Sequence, residues 1–549
     1  MTGDSGSPRG VPLVRDLLRN DEPPPAIDAR PRIVVNDRQL RDIVADAWRA
    51  CREANSPPTL FRRGGRLVKL VDGADSAAVV PLTEAAMLHR LSKAADWVKE
   101  TGRGERAAQP PRDVPRIMLA EPGEEIPVLD DITASPVFDA GGRLVRGPGY
   151  DAESRLWIAS GELAALEVPD IPSCDDVEQA RSLLVDELLV DFPFADASDR
   201  AHAVAAFVMP FIRSLVGDCT PIHLVEAPSP GSGKTLIADL VAIVASGKNV
   251  QPTTLSRSDE EMRKRITSLL LCGARIILLD NVTGELASAQ LAAAITATTW
   301  ADRLLGRSEY VHVENRALWI VTANNPSLSS ELARRCIRIR LDTHATRPWA
   351  RRGFKHAAVR EWAHARRAEL VRAVLVLVRH WLACGRPSSE QVLGSFERWS
   401  AVVGGIVGVS GVPGFLADRD RFYAAADAES QDWDALASAW WFQHGGAWVT
   451  ATQVASLASR HSVLLDVLGE GGVQSQRVRI SHALRGMRDR PVGSWLLEVG
   501  RNADANAGRY RLAVRAEHAR ALRPEIPGAD PRISGAQFQG ENIGENDGF

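Results

Sequence analysis

Cysteine is scarce and scattered in this chain. Its six cysteines, at 51, 174, 219, 272, 336 and 384, form no CxxC pair and have no nearby histidine ligands. That excludes a recognisable zinc knuckle or disulfide framework and fits a reducing cytoplasm, the expected location. Long apolar runs are missing too. None approaches the ~20 residues a membrane span requires, so no membrane partner is expected. The N-terminal stretch is polar and proline-rich, without the apolar h-region of a secretory signal. Nor is there an excess of charge of one sign. The formal net charge is −3 over 549 residues, so any nucleic-acid surface has to be a local patch. No internal repeat is visible.

What remains is an ordinary globular composition, 45% hydrophobic and 25% charged, in a chain too long for one core. Residues 1–29 and 524–549 read as disordered, being rich in Gly, Pro and polar residues. Residues 30–167 read as an α+β domain of unassigned role. It has hairpin signals at Gly64-Gly65 and Gly141-Gly142 and a helix capped by Thr83. The pair Asp130-Asp131 lies in it and is expected to be a solvated loop pair rather than a metal site. Residues 168–386 alternate apolar runs with helical patterns, which predicts a three-layer α/β domain on a mainly parallel sheet. Its strands are expected at 222–226, 250–254, 275–280, 318–322 and near 337–341. Residues 387–439 read as a helical connector and 440–515 as a further module.

The most specific chemistry lies at the first of those strands. The apolar run Ile222–Glu226 is followed by Ala227-Pro228-Ser229-Pro230-Gly231-Ser232-Gly233-Lys234-Thr235 and then by a helix. Strand, glycine loop and helix in this order form a P-loop: backbone N–H groups and the helix N-terminus cradle phosphate oxygens. Pro230, Gly231, Ser232, Gly233, Lys234 and Thr235 are the expected nucleotide contacts. Lys234 is placed to reach the β- and γ-phosphates of ATP and Thr235 to hold Mg²⁺. Pro228 stands where the strict pattern has glycine. The strand Arg275–Asp280 ends in a carboxylate, the position of a Walker-B aspartate that binds the magnesium, partly through water. Asn281 follows where many ATPases carry the carboxylate that activates water. The general base is therefore open among Glu226, Glu285 and Asp302. Leu318–Thr322 leads into Ala323-Asn324-Asn325, and Asn324 or Asn325 fits a residue that senses the γ-phosphate.

Spacing of Gly233-Lys234-Thr235, Leu279-Asp280-Asn281, Thr322-Ala323-Asn324 and Arg334-Arg335 resembles AAA+ ATPases of the superfamily 3 helicase kind. It looks most like the helicase half of phage- and plasmid-type primase–helicases of mobile elements. The stretches 191–194, 298–308 and 404–416 add to the likeness, which covers roughly 168–512. The resemblance implies a ring of subunits, usually six, acting on single-stranded or forked DNA, with ATP at each interface. It implies an arginine finger from a neighbour, matched by Arg335, with Arg334 as the alternative. It also implies a hairpin between the Walker-B and sensor strands, where Arg307 or His312 is placed to touch DNA. No primase is recognisable, so priming falls to a separate primase or polymerase.

The last module has its own pattern. Short helices at 453–458, 462–468 and 475–489 precede two strand-like runs, 495–499 and 508–512, which together read as a winged helix. Its third helix carries Arg477, Arg479, His482, Arg485 and Arg488 among apolar residues, suited to DNA phosphates. The expected fold is thus multidomain α/β: an N-terminal α+β domain, a central AAA+ P-loop ATPase domain with a lid, and a C-terminal helical region with a winged helix. The expected function is an ATP-dependent DNA helicase or translocase. The alternative is an initiator or defence ATPase that binds DNA without unwinding it.

Overall fold

A computed structural model describes residues 30–72, 77–159, 161–256, 258–303, 310–344, 347–426, 428–469, 471–488, 491–492, 495–501 and 508–514. Both stretches expected to be disordered lie outside these residues. The chain divides into two compact units after Ala426.

The first unit begins with an α+β layer. Helices Leu40–Glu53, Glu84–Ala94 and Asp113–Ala120 pack together through Ile43, Ala47, Met87, Leu91, Val114 and Met118, which recur at helical spacing. Thr83 caps the second helix, its hydroxyl accepting the Ala86 N–H at 3.2 Å. Leu60–Arg63 and Arg66–Asp72 form the expected hairpin about Gly64 and Gly65, and Ala77–Pro81 adds a third antiparallel strand. Asp130, partly buried, and Asp131, buried, are not a free loop pair. They pair with Arg316 at 3.3 Å and Arg275 at 3.6 Å, both from the neighbouring sheet layer. Burial pushes the Asp130 carboxyl up, and Arg316 opposes it. Ser135 adds a hydrogen bond to the Ala245 carbonyl at 2.7 Å, so this layer is tied to the body behind the glycine loop.

That body holds a five-stranded parallel sheet. Its strands are β1 (Ile222–Ala227), β2 (Pro252–Thr253), β3 (Ile276–Val282), β4 (Leu318–Asn324) and β5 (Cys336–Arg340). They lie in the order β2–β3–β4–β1–β5. β1 and β4 are buried along almost their whole length, which is why they read as continuous apolar runs rather than alternating ones. β2 is only two residues long, shorter than expected, because Pro252 begins it at the sheet edge and lacks an N–H to extend the ladder. The buried helix Ala197–Val216 starts at a reciprocal cap between Asp196 and Asp199 and ends at the left-handed Gly217.

The expected boundary at 386 and the connector 387–439 are not separate pieces. Helix Glu397–Val409 buries Trp399, Val403, Ile406 and Val407 and packs on Ala197–Val216, inside the core that holds the sheet. A Cβ on Gly405 would overlap the Pro387 carbonyl oxygen, and one on Gly404 or Gly414 would overlap Phe415 or the Ala197 backbone, so these three glycines serve close packing here. The basic run 351–372 is likewise committed within the unit. Arg360 chelates Asp239, Arg367 donates to the Ala134 and Ile243 carbonyls, and Arg372 pairs with Asp176. Among the described residues, no helix is long and apolar enough to cross a membrane.

The second unit starts earlier than the expected 440. Helix Ala428–His444 supplies Trp433, Leu436 and Trp440 to its core. Helices Ala451–His461, Leu465–Leu468 and Val473–Gly486 follow. The unit's sheet runs Val449–Thr450, Gly508–Val514, Trp495–Arg501, Pro491–Val492, all antiparallel. Ile480 and Leu484, one turn apart, bury the inner face of Val473–Gly486, and Ser481 meets the Tyr510 hydroxyl at 2.7 Å.

Candidate nucleotide site

β1 ends at Ala227, the loop comes next, and the helix Lys234–Ser246 begins with Gly233 as its cap. Gly231 and Gly233 have φ of +77° and +98°, a left-handed backbone that glycine adopts without strain. Pro228 precedes this turn and leaves it intact. The helix is 13 residues long, so its N-terminus presents unpaired N–H groups and partial positive charge beside Lys234 and Thr235.

Parallel register brings three strand ends to this loop. Ala227 of β1 pairs with Asn324 of β4, and Leu279 of β3 pairs with Val321. Lys234 Nζ donates to Asn324 Oδ1 at 2.7 Å. Burial pulls the Lys234 pKa down, and the Asp280 carboxylate opposes this. Asp280 Oδ1 accepts from Thr235 Oγ1 at 2.8 Å and from Thr322 Oγ1 at 2.6 Å. Just beyond Leu279 the register slips, and Asn281 sits in this bulge at φ +53°. The bulge directs the Asn281 N–H to the Thr322 hydroxyl at 2.7 Å, and Asn324 Nδ2 reaches Asn281 Oδ1 at 3.5 Å. Lys234, Thr235, Asp280, Asn281 and Asn324 therefore form one connected cluster. An ammonium at a helix N-terminus can bind phosphate. A hydroxyl and a carboxylate sharing one hydrogen bond can exchange it for a hydrated Mg²⁺, since both are hard oxygen donors.

The carboxylates left open by the sequence separate here. Asp302 is buried against Arg263 and Thr267, with both oxygens engaged. Glu226, buried beside the loop, pairs with Arg340 Nη1 at 2.7 Å, and the same guanidinium reaches Asn325 Oδ1 at 3.3 Å. The Glu285 side chain lies outside the described residues. Asn325 turns its side-chain oxygen to Arg340, and the Lys234 contact belongs to Asn324.

Arg335 is not part of this cluster. Its carbonyl accepts the Ile222 N–H at 2.9 Å, at the start of β1. Five strand residues of rise, roughly 16 Å, separate that point from the Ala227 end. Its side chain reaches the Glu331 carbonyl at 2.7 Å, and Arg334 reaches that of Ser330 at 3.3 Å.

The hairpin Thr299–Arg303 and Tyr310–Glu314 lies between β3 and β4 in sequence. Arg307 falls outside the described residues. His312 pairs with Ala301 and is exposed, as is the next pair on that face, Arg303 and Tyr310, while Asp302 and Val311 between them are buried; Tyr310 is 67% exposed. Arg303 and Tyr310 escaped the sequence reading, although a strand alternating Tyr310, His312 and Glu314 on one face carries the signal. In the second unit, Arg477, Arg479, Arg485 and Arg488 are exposed on Val473–Gly486 or just past it, and Arg479 folds against Gly469. Thr322 escaped notice too. Its signal is a hydroxyl inside an otherwise apolar buried strand.

No family model matches this chain, and no curated protein does. Solved structures do. An apo structure of the NrS-1 C-terminal region is similar at 10% identity, covering 83% of this chain and 96% of that one, with a TM-score of 0.37. The active helicase Cch of SCCmec type IV matches at 11% identity over 82% of this chain and 91% of its own, with a TM-score of 0.34. A JCV helicase matches at 14% identity over 46% and 68%, with a TM-score of 0.20. These overlaps are loose.

Proposed function

We propose that this chain is a P-loop ATPase of the AAA+ class, of the superfamily 3 helicase kind, which moves on DNA for a mobile genetic element. The observation that carries the reading is the meeting of Lys234, Thr235, Asp280 and Asn324 at the ends of three adjacent parallel strands. Lys234 binds the β- and γ-phosphates and Asn324 orients the γ end. Thr235 and Asp280 hold the metal, with Thr322 fixing the Asp280 carboxylate. Mg²⁺ bound there supplies charge neutralisation for phosphoryl transfer.

The position of Arg335, away from its own loop, suits a subunit that lends this arginine to a neighbour; a ring, usually a hexamer, is what the superfamily 3 resemblance implies. The exposed Arg303, Tyr310 and His312 suit single-stranded DNA, a cation for phosphate and an aromatic face for a base. The second unit runs helix, strand, three helices (the middle one, Leu465–Leu468, a single turn) and hairpin, an order that suits a winged helix and favours duplex binding through Val473–Gly486.

A second reading, an initiator or defence ATPase that binds DNA without unwinding it, draws on Asn281 and on the Glu226–Arg340 pair. Both leave a slow water-activating apparatus. ATP turnover with and without single-stranded and duplex DNA tests the first reading, together with unwinding of a forked duplex. DNA-stimulated turnover without strand separation selects the second.

A further inference from the structure

Trp349 has no part in the cluster described above, yet it stands against the loop. It is 64% exposed, an unusual position for the side chain with the largest apolar surface to bury. It lies in the short turn Pro348–Ala350. A Cβ built on Gly231 would stand 3.0 Å from Trp349 Cβ and 3.4 Å from its backbone nitrogen. Residues just C-terminal to the turn fasten it beside the loop. Arg351 donates to the Asp191 carbonyl at 3.2 Å, and Asp191 Oδ2 accepts the Lys355 N–H at 2.8 Å. Phe192, next to Asp191, faces the other loop glycine, 3.2 Å from a Cβ built on Gly233. The two left-handed glycines of the loop are therefore backed by aromatic residues, Gly233 by the Phe192 ring and Gly231 by the backbone and Cβ of Trp349. Phe192 is buried and serves as packing. Trp349 is not, and its indole hangs from a Cβ fixed at the rim.

A nucleotide held by its phosphates at Lys234 and Thr235 carries its base one ribose away from the α-phosphate, beside the loop and away from Asp280 and Asn324. We propose that Trp349 is the platform on which that base stacks. The inference rests on the P-loop reading and adds to it the residue that grips the nucleoside. Stacking uses the π-face common to all bases, so the site takes nucleoside triphosphates with little discrimination by base edge and favours purines by area.

The test compares binding of ATP with binding of inorganic tripolyphosphate to the full chain by calorimetry, in wild type, Lys234→Ala, Trp349→Ala and Trp349→Phe. Trp349→Ala should weaken ATP about 5- to 100-fold and leave tripolyphosphate within about twofold. Trp349→Phe should keep most of the ATP affinity, because a smaller ring still stacks. Equal loss for both ligands in Trp349→Ala would mean that the turn merely props the loop, and unchanged ATP affinity would mean that the indole faces elsewhere. Either result overturns the inference while leaving the P-loop in place. Failure of the P-loop reading has a separate signature: wild type and Lys234→Ala then bind ATP equally or not at all, and the platform falls with it.

Discussion

Thr322 donates its hydroxyl proton to Asp280 Oδ1 at 2.6 Å and accepts the Asn281 N–H at 2.7 Å. One side chain on β4 thus sets both residues that end the apolar part of β3. If Thr235 turns to the metal, Thr322 still holds the carboxylate. Thr322→Val should lower ATP turnover and raise the Mg²⁺ requirement by about 10- to 100-fold, as loss of a ligand-orienting partner does. Thr322→Ser should restore most of both. A magnesium titration of turnover checks this; a wild-type curve for the valine variant would remove Thr322 from the site.

Lys234→Ala should abolish hydrolysis and weaken nucleotide binding, since the lysine is the main point charge on the transferred phosphate. Asn324→Ala should behave differently. It frees Lys234 Nζ from its 2.7 Å partner, so binding should persist while turnover falls. Nucleotide affinity and steady-state rate measured on both variants separate the two roles, and equal loss of binding in both would merge them.

Arg335→Ala should bind ATP nearly normally and fail to hydrolyse it, with a loss of ~10³–10⁵ in rate if the residue acts as a finger. Mixing it with Lys234→Ala subunits should restore activity at interfaces that join an intact loop to an intact arginine. Wild-type turnover by a verified monomer, slowed by Arg335→Ala, would show action in cis and end the ring proposal.

Replacing Arg477 and Arg485 together with Ala should weaken duplex DNA binding and flatten its salt dependence. Each lost phosphate contact should reduce the log–log slope by about 0.9. ATP turnover without DNA should be unaffected. An unchanged slope assigns the exposed face of Val473–Gly486 to a protein partner.

His223 lies fully buried in β1, edge-on to Trp399. Burial pushes its pKa down to about 3. The unfolded chain, with a histidine near its ordinary value, therefore binds more protons between the two pKa values. Its contribution to stability is full above about pH 6.5 and is lost as the pH falls towards 3, by up to about 1.4 kcal/mol per unit. Asp199 runs the other way. Burial raises its pKa to about 7, so its contribution is full in the acid range and is lost as the pH rises from the ordinary carboxylate range to about 7. The two slopes oppose each other between about pH 6.5 and 5, so His223→Leu should raise the melting temperature relative to wild type increasingly as the pH falls from 7 to 5. A difference between variant and wild type that does not change with pH would place the acid sensitivity elsewhere.

Gly233, Lys234, Thr235 and Asp280 were legible in the sequence because their chemistry is local. A left-handed glycine, a helix start and a carboxylate ending an apolar strand each leave a mark within a few residues. The parallel strands were legible for a similar reason, since burial on both faces makes them continuous apolar runs. What no local pattern held was register. The slip between Leu279 and Val282 puts Thr322 on Asp280, and the pairing of Ala227 with Asn324 puts that asparagine on Lys234. The same register carries Arg335 to the far end of β1. Glu226 and Asp302 are engaged by Arg340 and Arg263, 114 and 39 residues away. Asp130 and Asp131 changed from a solvated pair to an interlayer one in the same way. The sequence by itself determined which groups are available and what local backbone they adopt. Only the tertiary structure decided which of them meet, because strand register and layer packing bring together side chains that are distant along the chain.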